Sequence, residues 1–404
     1  MLTTHLTASE REHLHESYRH LHRTPELSMQ EHRTAEFIEA RLSELGIEHF
    51  RCGGTGVVGI LRNGDGPVVG FRADTDGLPI QEDTGADYSS TATGTLDDGT
   101  VVPVMHGCGH DTHVAAALSA AALLVRQTGE WSGTVVWVFQ PGEETAAGAA
   151  AMVADGIWER APRPNVVLGQ HVFPAAPAGS VALATGPAMA MADSLRVTVH
   201  GRQSHGSQPQ DSTDPIVLGA HIVTRLQTIV SRELPPQSPA VVTCGTFHAG
   251  LKENIIPAAA EFTLNIRTLG TDIRAHVLGA ITRIVNAEAE ASGAPRPTIE
   301  EIYRFPQLTN DERESEAVRA VLERELGAGN VLRIPPAMGS EDFGTLPDSI
   351  GVPGVYWFFG GFAAGTVDPP VNHSPHFLPD LEPTLSTGVS AAVAAIGHYL
   401  APRA

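Results

Sequence analysis

Met105-His106-Gly107-Cys108-Gly109-His110-Asp111 packs two histidines, a cysteine and an aspartate into seven residues. The apolar run 101–105 leads into it, and the alanine-rich run 112–125 follows. The first predicts a strand and the second a buried helix, so the motif sits where a strand hands over to a helix. In open α/β sheets, ligands bind at that place. Cys108 and His110 can both reach one ion from a glycine-loosened turn, and thiolate plus imidazole suits a borderline divalent metal. A buried free cysteine beside a helix-capping aspartate accounts for the same residues, so the motif alone leaves both readings open.

The flanking sequence repeats the pattern. Residues 67–72 predict a strand that runs into Asp74-Thr75-Asp76-Gly77. Asp76 is suited to orient a metal-bound histidine from behind, although both carboxylates also fit an ordinary turn. Residues 133–140 are apolar without alternation, as in a parallel strand buried on both faces. They lead into Pro141-Gly142-Glu143-Glu144. Unpaired carboxylates near an interior are costly, and a cation removes that cost. The short apolar run 165–169 ends at His171. Four predicted core strands thus end in Asp74 and Asp76, Cys108 and His110, Glu143 and Glu144, and His171. Together these groups converge on one edge of one sheet, with room for two cations.

Residues 10–22 predict a helix carrying His13, His15, His20 and His22. None of the four pairs at i,i+4, the spacing of two helical ligands, so they are read as a solvated face. A second helix, 31–45, is capped by Gly46. Gly54-Thr55-Gly56-Val57-Val58-Gly59 matches the dinucleotide fingerprint GxGxxG, which must open a helix. Here Ile60-Leu61-Arg62 runs straight into the turn Asn63-Gly64-Asp65-Gly66-Pro67, so a hairpin with strand 67–72 is expected instead.

A second unit starts near residue 189. Its predicted order is strand 194–199, helix 214–232, strands 241–247 and 260–267, helix 272–291 and strand 298–303. This β-α-β-β-α-β order is the split βαβ, ferredoxin-like motif. Strand 354–359 and helix 384–400 resume the first pattern, so the unit is an insertion. The expected fold is an α/β mixed open sheet with flanking helices, formed by 1–187 and 304–404, plus an inserted ferredoxin-like α+β domain, 188–303.

The chain has 404 residues, 42% hydrophobic and 18% charged, enough for a large core. Its net charge of -20, from 46 acidic and 26 basic residues, argues against nucleic acid or an anionic membrane as partner. Cys52, Cys108 and Cys244 make no disulfide framework, which points to a reducing, cytoplasmic setting. The first residues lack the pattern of a signal peptide, and no apolar run is long enough to span a bilayer.

These residues resemble the di-metal amidohydrolases that include aminoacylase, carboxypeptidase G and hippurate hydrolase. The likeness is strongest to the branch of N-acyl-amino-acid, hippurate and indoleacetyl-amino-acid hydrolases. The matching segments are HLHRTPELSMQE, RADTDGLP, MHGCGHD, QPGEE, GQHVFP, GRQSHGSQP, ENIIP, GSEDFG and NHSPHF, in order and almost end to end. Gly107 departs from the alanine more usual in that branch, and Asn372 lies in a loop of variable spelling. The resemblance implies a zinc-exopeptidase-like catalytic domain and a lid or dimerisation role for the insert. It assigns two divalent ions per chain (manganese or zinc, with cobalt and nickel as alternatives) to Cys108, His110, Glu144, His171 and His373. It makes Glu143 the catalytic base and His205 a lid histidine reaching the partner subunit's site, hence a homodimer or higher homo-oligomer. Asn254 and Arg267 match positions that contact a substrate carboxylate. The implied substrate is a small N-acyl amino acid.

Other classes fit less of the chain. A cysteine-nucleophile amidase using Cys108 and His110 leaves Glu143, Glu144, His171 and His373 without roles. A nucleotide-dependent oxidoreductase lacks the helix after Gly59. A metal-binding protein without catalysis has no use for Glu143 beside Glu144. A dipeptidase or aminopeptidase on the same scaffold remains the alternative enzyme.

Overall fold

The computed structural model describes residues 2–402. The chain divides into two compact units. One takes in the chain up to Ala188, Thr309–Pro335 and the chain from Asp342 onward; the other takes in Met189–Leu308 and Pro336–Glu341.

The first unit is built on a mixed sheet. Its main strands are β1 (Glu48–Cys52), β2 (Gly56–Asn63), β3 (Val68–Asp74), β4 (Trp131–Gln140), β5 (Val166–Pro177), β6 (Val181–Leu183), β7 (Val331–Arg333) and β8 (Gly354–Phe362), and the short strand Ala401–Pro402 pairs with the start of β4. They lie in the order β1-β2-β4-β3-β5-β8-β6-β7. The central four, β4, β3, β5 and β8, run parallel. All nine residues of β8 are buried, as its unalternating apolar sequence requires of a strand covered on both faces. Helices α1 (Ala8–Arg23), α2 (His32–Glu44), α3 (His110–Arg126), α4 (Glu312–Leu326) and α5 (Thr384–Tyr399) complete this unit's long elements. Thr7 and Glu10 form a capping box that starts α1. The alanines of α3 let α5 come close: a Cβ on Gly388 would lie 3.3 Å from that of Ala116.

Three expectations are corrected. The run 101–105 is not a core strand: only Val101–Pro103 is extended, and it pairs with Thr93–Thr95 in a separate two-stranded ribbon. Val101 is 67% exposed, and only Val104 and Met105 turn under, where Met105 pairs with Leu78. The glycines at 53–56 turn β1, not β3, against β2. The doubly apolar β4 takes the place between β2 and β3 and pairs with both. Lastly, β5 does not stop before His171. Register with β8 carries it onward, with His171 opposite Phe358.

In the second unit, strands Met191–His200, Ala240–Ala249, Ala259–Thr268 and Thr298–Phe305 form an antiparallel sheet. Their spatial order is second, third, first, fourth, the split βαβ arrangement. Along Ala259–Thr268 buried positions alternate, so one face is apolar and meets helices Pro215–Thr228 and Thr271–Ala291. Asp214 accepts from the backbone of Ile216 and Val217, and Pro215 opens the first of these helices.

Candidate metal centre

The site forms where the parallel strands of the first unit end and α3 begins. Gly109 lets the chain turn there: its φ is +84°, and a Cβ would lie 2.5 Å from Val172 Cγ1. At Gly107 a Cβ would lie 2.9 Å from Ile80 Cδ1, the terminal methyl of that side chain. His110 follows, fully buried, with Nδ1 2.9 Å from the Asp76 carbonyl and 3.2 Å from its Oδ1. Both partners accept, so Nδ1 carries a proton and Nε2 is the nitrogen left to take either a second proton or a cation. That Nε2 has no hydrogen-bond partner and lies 3.5 Å from Asp74 Oδ2 and 4.0 Å from Glu144 Oε1. Burial opposes charge on His110, but Asp74, then Asp76 and Glu144, raise its pKa to about 10. Carboxylates that draw a proton to Nε2 draw a metal cation equally.

The other expected donors gather at the same place. His171 Nδ1 faces the Val172 carbonyl at 2.7 Å, which leaves Nε2 aimed at Cys108 Sγ, 3.4 Å away. Burial, then the charges of Glu144 and Glu143, push the Cys108 thiol well up. A bound cation reverses that preference and favours thiolate. Glu144 donates its backbone N–H to Asp76 Oδ2 at 3.0 Å, and its buried Oε1 lies 3.3 Å from His373 Nε2 without a hydrogen bond. His373 arrives on a loop whose backbone donates to the Gly107 carbonyl at 2.7 Å, with φ +68°. A left-handed histidine is uncommon and is held here by that contact. Asn372 Nδ2 donates to the Cys108 carbonyl at 3.2 Å.

Within each of three overlapping groups, one ligand atom per residue lies within 4.8 Å of the rest: Asp74, His110, His113 and His171; Cys108, Glu144 and His373; His110, Glu143 and Glu144. The residues fit a divalent metal centre: a thiol, three imidazoles and a carboxylate, with orphaned buried acceptors at His110 and Glu144.

His113 and the part played by Asp74 were missed. His113 Nε2 accepts the Val172 N–H at 2.8 Å, and its Nδ1 donates to Asp74 Oδ1. Both ring nitrogens are used, so His113 orients Asp74 and holds β5 against α3; it has no lone pair left for metal. Its signal was the His110-x-x-His113 spacing, one helical turn. Burial disfavours the Asp74 carboxylate, yet Arg72, then His110 and His113, keep it well below the usual range. Arg72 Nη1, fully buried, lies 2.7 Å from Asp74 Oδ2.

The solvated reading of the α1 histidines fails at His22. It is buried, with Nδ1 2.7 Å from Asp111 Oδ2 and Nε2 3.1 Å from Glu82 Oε1. Burial opposes its charge, but the hydrogen bonds it donates to Asp111 and Glu82 raise its pKa to about 9. The face that α1 turns inward includes Leu14, Tyr18 and Leu21, and His22 falls on it. Only the helix register, not the lack of an i,i+4 pair, carried that information.

The remaining expected residues belong to the second unit. His205 is exposed, its Nδ1 2.8 Å from Ser207 Oγ. Asn254 is exposed. Arg267 is half-buried and donates to Asn265 Oδ1 at 2.9 Å and Ser340 Oγ at 2.6 Å. Among the described residues no helix is long and apolar enough to cross a membrane.

A family model described as peptidase family M20/M25/M40 matches residues 70–398. Thermostable carboxypeptidase 2 of Saccharolobus solfataricus is 35% identical over 382 residues, 92% of each chain. Hippurate hydrolase of Campylobacter jejuni is 36% identical over 332 residues, 81% of this chain and 84% of that one. Among solved structures, a dinuclear metal-binding M20-family peptidase from Bacillus subtilis superposes with a TM-score of 0.75 at 29% identity, covering 97% of this chain and 99% of that one.

Proposed function

This chain belongs to peptidase family M20/M25/M40, and on that premise we propose that it cleaves the amide bond of N-acyl or N-aroyl amino acids, releasing a carboxylic acid and a free amino acid. It is a metal-dependent hydrolase acting on amide bonds. The observation that carries the reading is the set of donor atoms left without protein partners, His110 Nε2 and Glu144 Oε1, beside the buried Glu143. Cys108, His110, Glu144, His171 and His373 would hold two divalent ions. Such ions lower the pKa of water and polarise an amide carbonyl. Glu143 takes the proton of the attacking water and later returns it to the leaving nitrogen. His205 stabilises the developing oxyanion from a neighbouring subunit, and Asn254 and Arg267 hold the substrate carboxylate.

The carboxypeptidase relative favours a second reading, removal of the last residue of a peptide. Both substrates offer an amide next to an amino acid with a free carboxylate. A panel of N-benzoyl and N-acetyl amino acids against free-amino dipeptides, run with metal analysis, separates them. The expected result is two ions per chain and preference for the acylated compounds; one ion or fewer, or preference for dipeptides, overturns the first reading. Glu143→Gln should keep its metal and lose roughly 10²–10⁴-fold in rate. Mixing His205→Ala with Glu143→Gln tests the shared site. Recovered activity after subunit exchange supports it, and none after proven exchange rejects it.

A further inference from the structure

The segment Ser28-Met29-Gln30-Glu31 lies far in sequence from every donor, and the reading above gives it no role. In the structure it clasps the loop that carries Glu143 and Glu144. Glu31 is completely buried. Its Oε1 accepts the backbone N–H of Gly142 at 2.8 Å and of Met29 at 2.9 Å, and Thr55 Oγ1 donates to its Oε2. Ser28 Oγ donates to Asp76 Oδ2 at 2.6 Å, the same oxygen that accepts the Glu144 N–H. Met29 closes the clasp from above, with φ +62°. A Cβ on Gly142 would meet its sulfur at 2.5 Å. Gly142 itself has φ +57°.

We propose that Glu31 is a positioning residue for the Glu143–Glu144 loop, fixing through Gly142 the direction in which Glu143 points, while Ser28 and Asp76 fix Glu144. A buried carboxylate is a costly way to fill space. Burial, then the nearby Asp76 charge, raises the affinity of Glu31 for a proton, so its place is maintained by the three donors it satisfies. The peptide following Gly142 is that of Glu143, so rotation of the one re-aims the other.

The proposal rests on Glu143 as base, and the test keeps the two apart. Glu31→Ala, Glu31→Gln and Glu143→Gln are compared for kcat, KM, metal content and thermal midpoint. Glu31→Ala should lower kcat roughly 10- to 100-fold, with two metals retained and KM within about threefold. Glu31→Gln keeps an acceptor for both N–H groups and should recover most of that loss. Should Glu31→Ala fail to fold, Thr55→Val removes one of the three donors and should lower kcat by about threefold at unchanged metal content. The clasp is overturned if Glu31→Ala, or Thr55→Val in its place, keeps wild-type kcat, or if the loss tracks metal content alone. It is equally overturned if Glu31→Gln is as impaired as Glu31→Ala. An active Glu143→Gln would instead remove the base.

Discussion

Two buried clusters of histidine and carboxylate meet at the start of α3, joined by consecutive residues. On one side of the chain, Asp111 and Glu82 grip His22 from both ends, and each ring nitrogen has a carboxylate partner. On the other, His110 turns Nδ1 to Asp76 and leaves Nε2 with none. The compositions are nearly the same, and the chemistry is opposite. The first cluster is closed: its positive charge is a proton on His22, and the tyrosine rings of Tyr18 and Tyr88 stand around it. The second is open, because His110 Nε2 and Glu144 Oε1, though buried, have no hydrogen-bond partner. What separates a structural ion cluster from a metal centre is therefore the count of lone pairs left over, not the count of histidines.

The largest effect should come from closing the open cluster. His110→Ala removes an oriented donor, and loss of metal chemistry worth several kcal/mol should lower turnover by roughly 10³-fold or more. Metal analysis after desalting should show fewer than two ions. Full metal content with full activity would erase the distinction between the clusters.

Breaking the closed cluster should act on stability instead. His22→Ala strands two buried carboxylates and should cost about 3–5 kcal/mol in denaturant unfolding. The imidazolium is favoured in the folded chain, so its contribution is complete below the ordinary histidine pKa of about 6.5. It fades as pH climbs through about 9. Glu82, held down to about 2 despite its burial, loses its share only in strong acid. The gap between wild type and variant should thus narrow between pH 6.5 and 9. A gap that widens over that range would show that His22 is not held as a cation.

The smallest effect is expected at His15, on the same helix, which meets Glu382 at 2.9 Å in a partly exposed pair. His15→Ala should cost no more than about 1 kcal/mol. A cost as large as that of His22 would mean that burial does not set the difference.

Much of this site was legible because its donors lie next to strand ends that are apolar on both faces. The unalternating runs at β3, β4 and β5 marked the sheet, and Asp74, Glu143, Glu144 and His171 lie on or just past them. The ferredoxin-like order of the second unit was readable for the complementary reason, its alternation. What escaped is set by tertiary contact. Sheet order depends on which strand can tolerate burial on both sides, so β4 displaced the expected hairpin partner of β2. His113 and His22 look like members of ordinary helices. Only the packing of α1 and α3 against the sheet decides that one spans Asp74 and Val172 and the other joins Asp111 to Glu82. Glu31 likewise has no local sign of its role, because its partner Gly142 lies far along the chain.

The loop that delivers His373 has a consequence for the order in which the molecule is made. Cys108, His110 and Glu144 leave the ribosome before the whole inserted unit, and His373 long after it, behind β8, which must slot beside β5. Until then the N-terminal half holds a thiol, imidazoles and a carboxylate in a sheet whose parallel core is one strand short. Pairing at such sequence separation is slow, because loop closure precedes its reward. His373 is thus the last of the candidate donors to be made, and only α5 and the strand Ala401–Pro402 follow it. Metal uptake by ribosome-bound chains of increasing length should rise only once residue 373 has emerged, and uptake before that point would contradict this order.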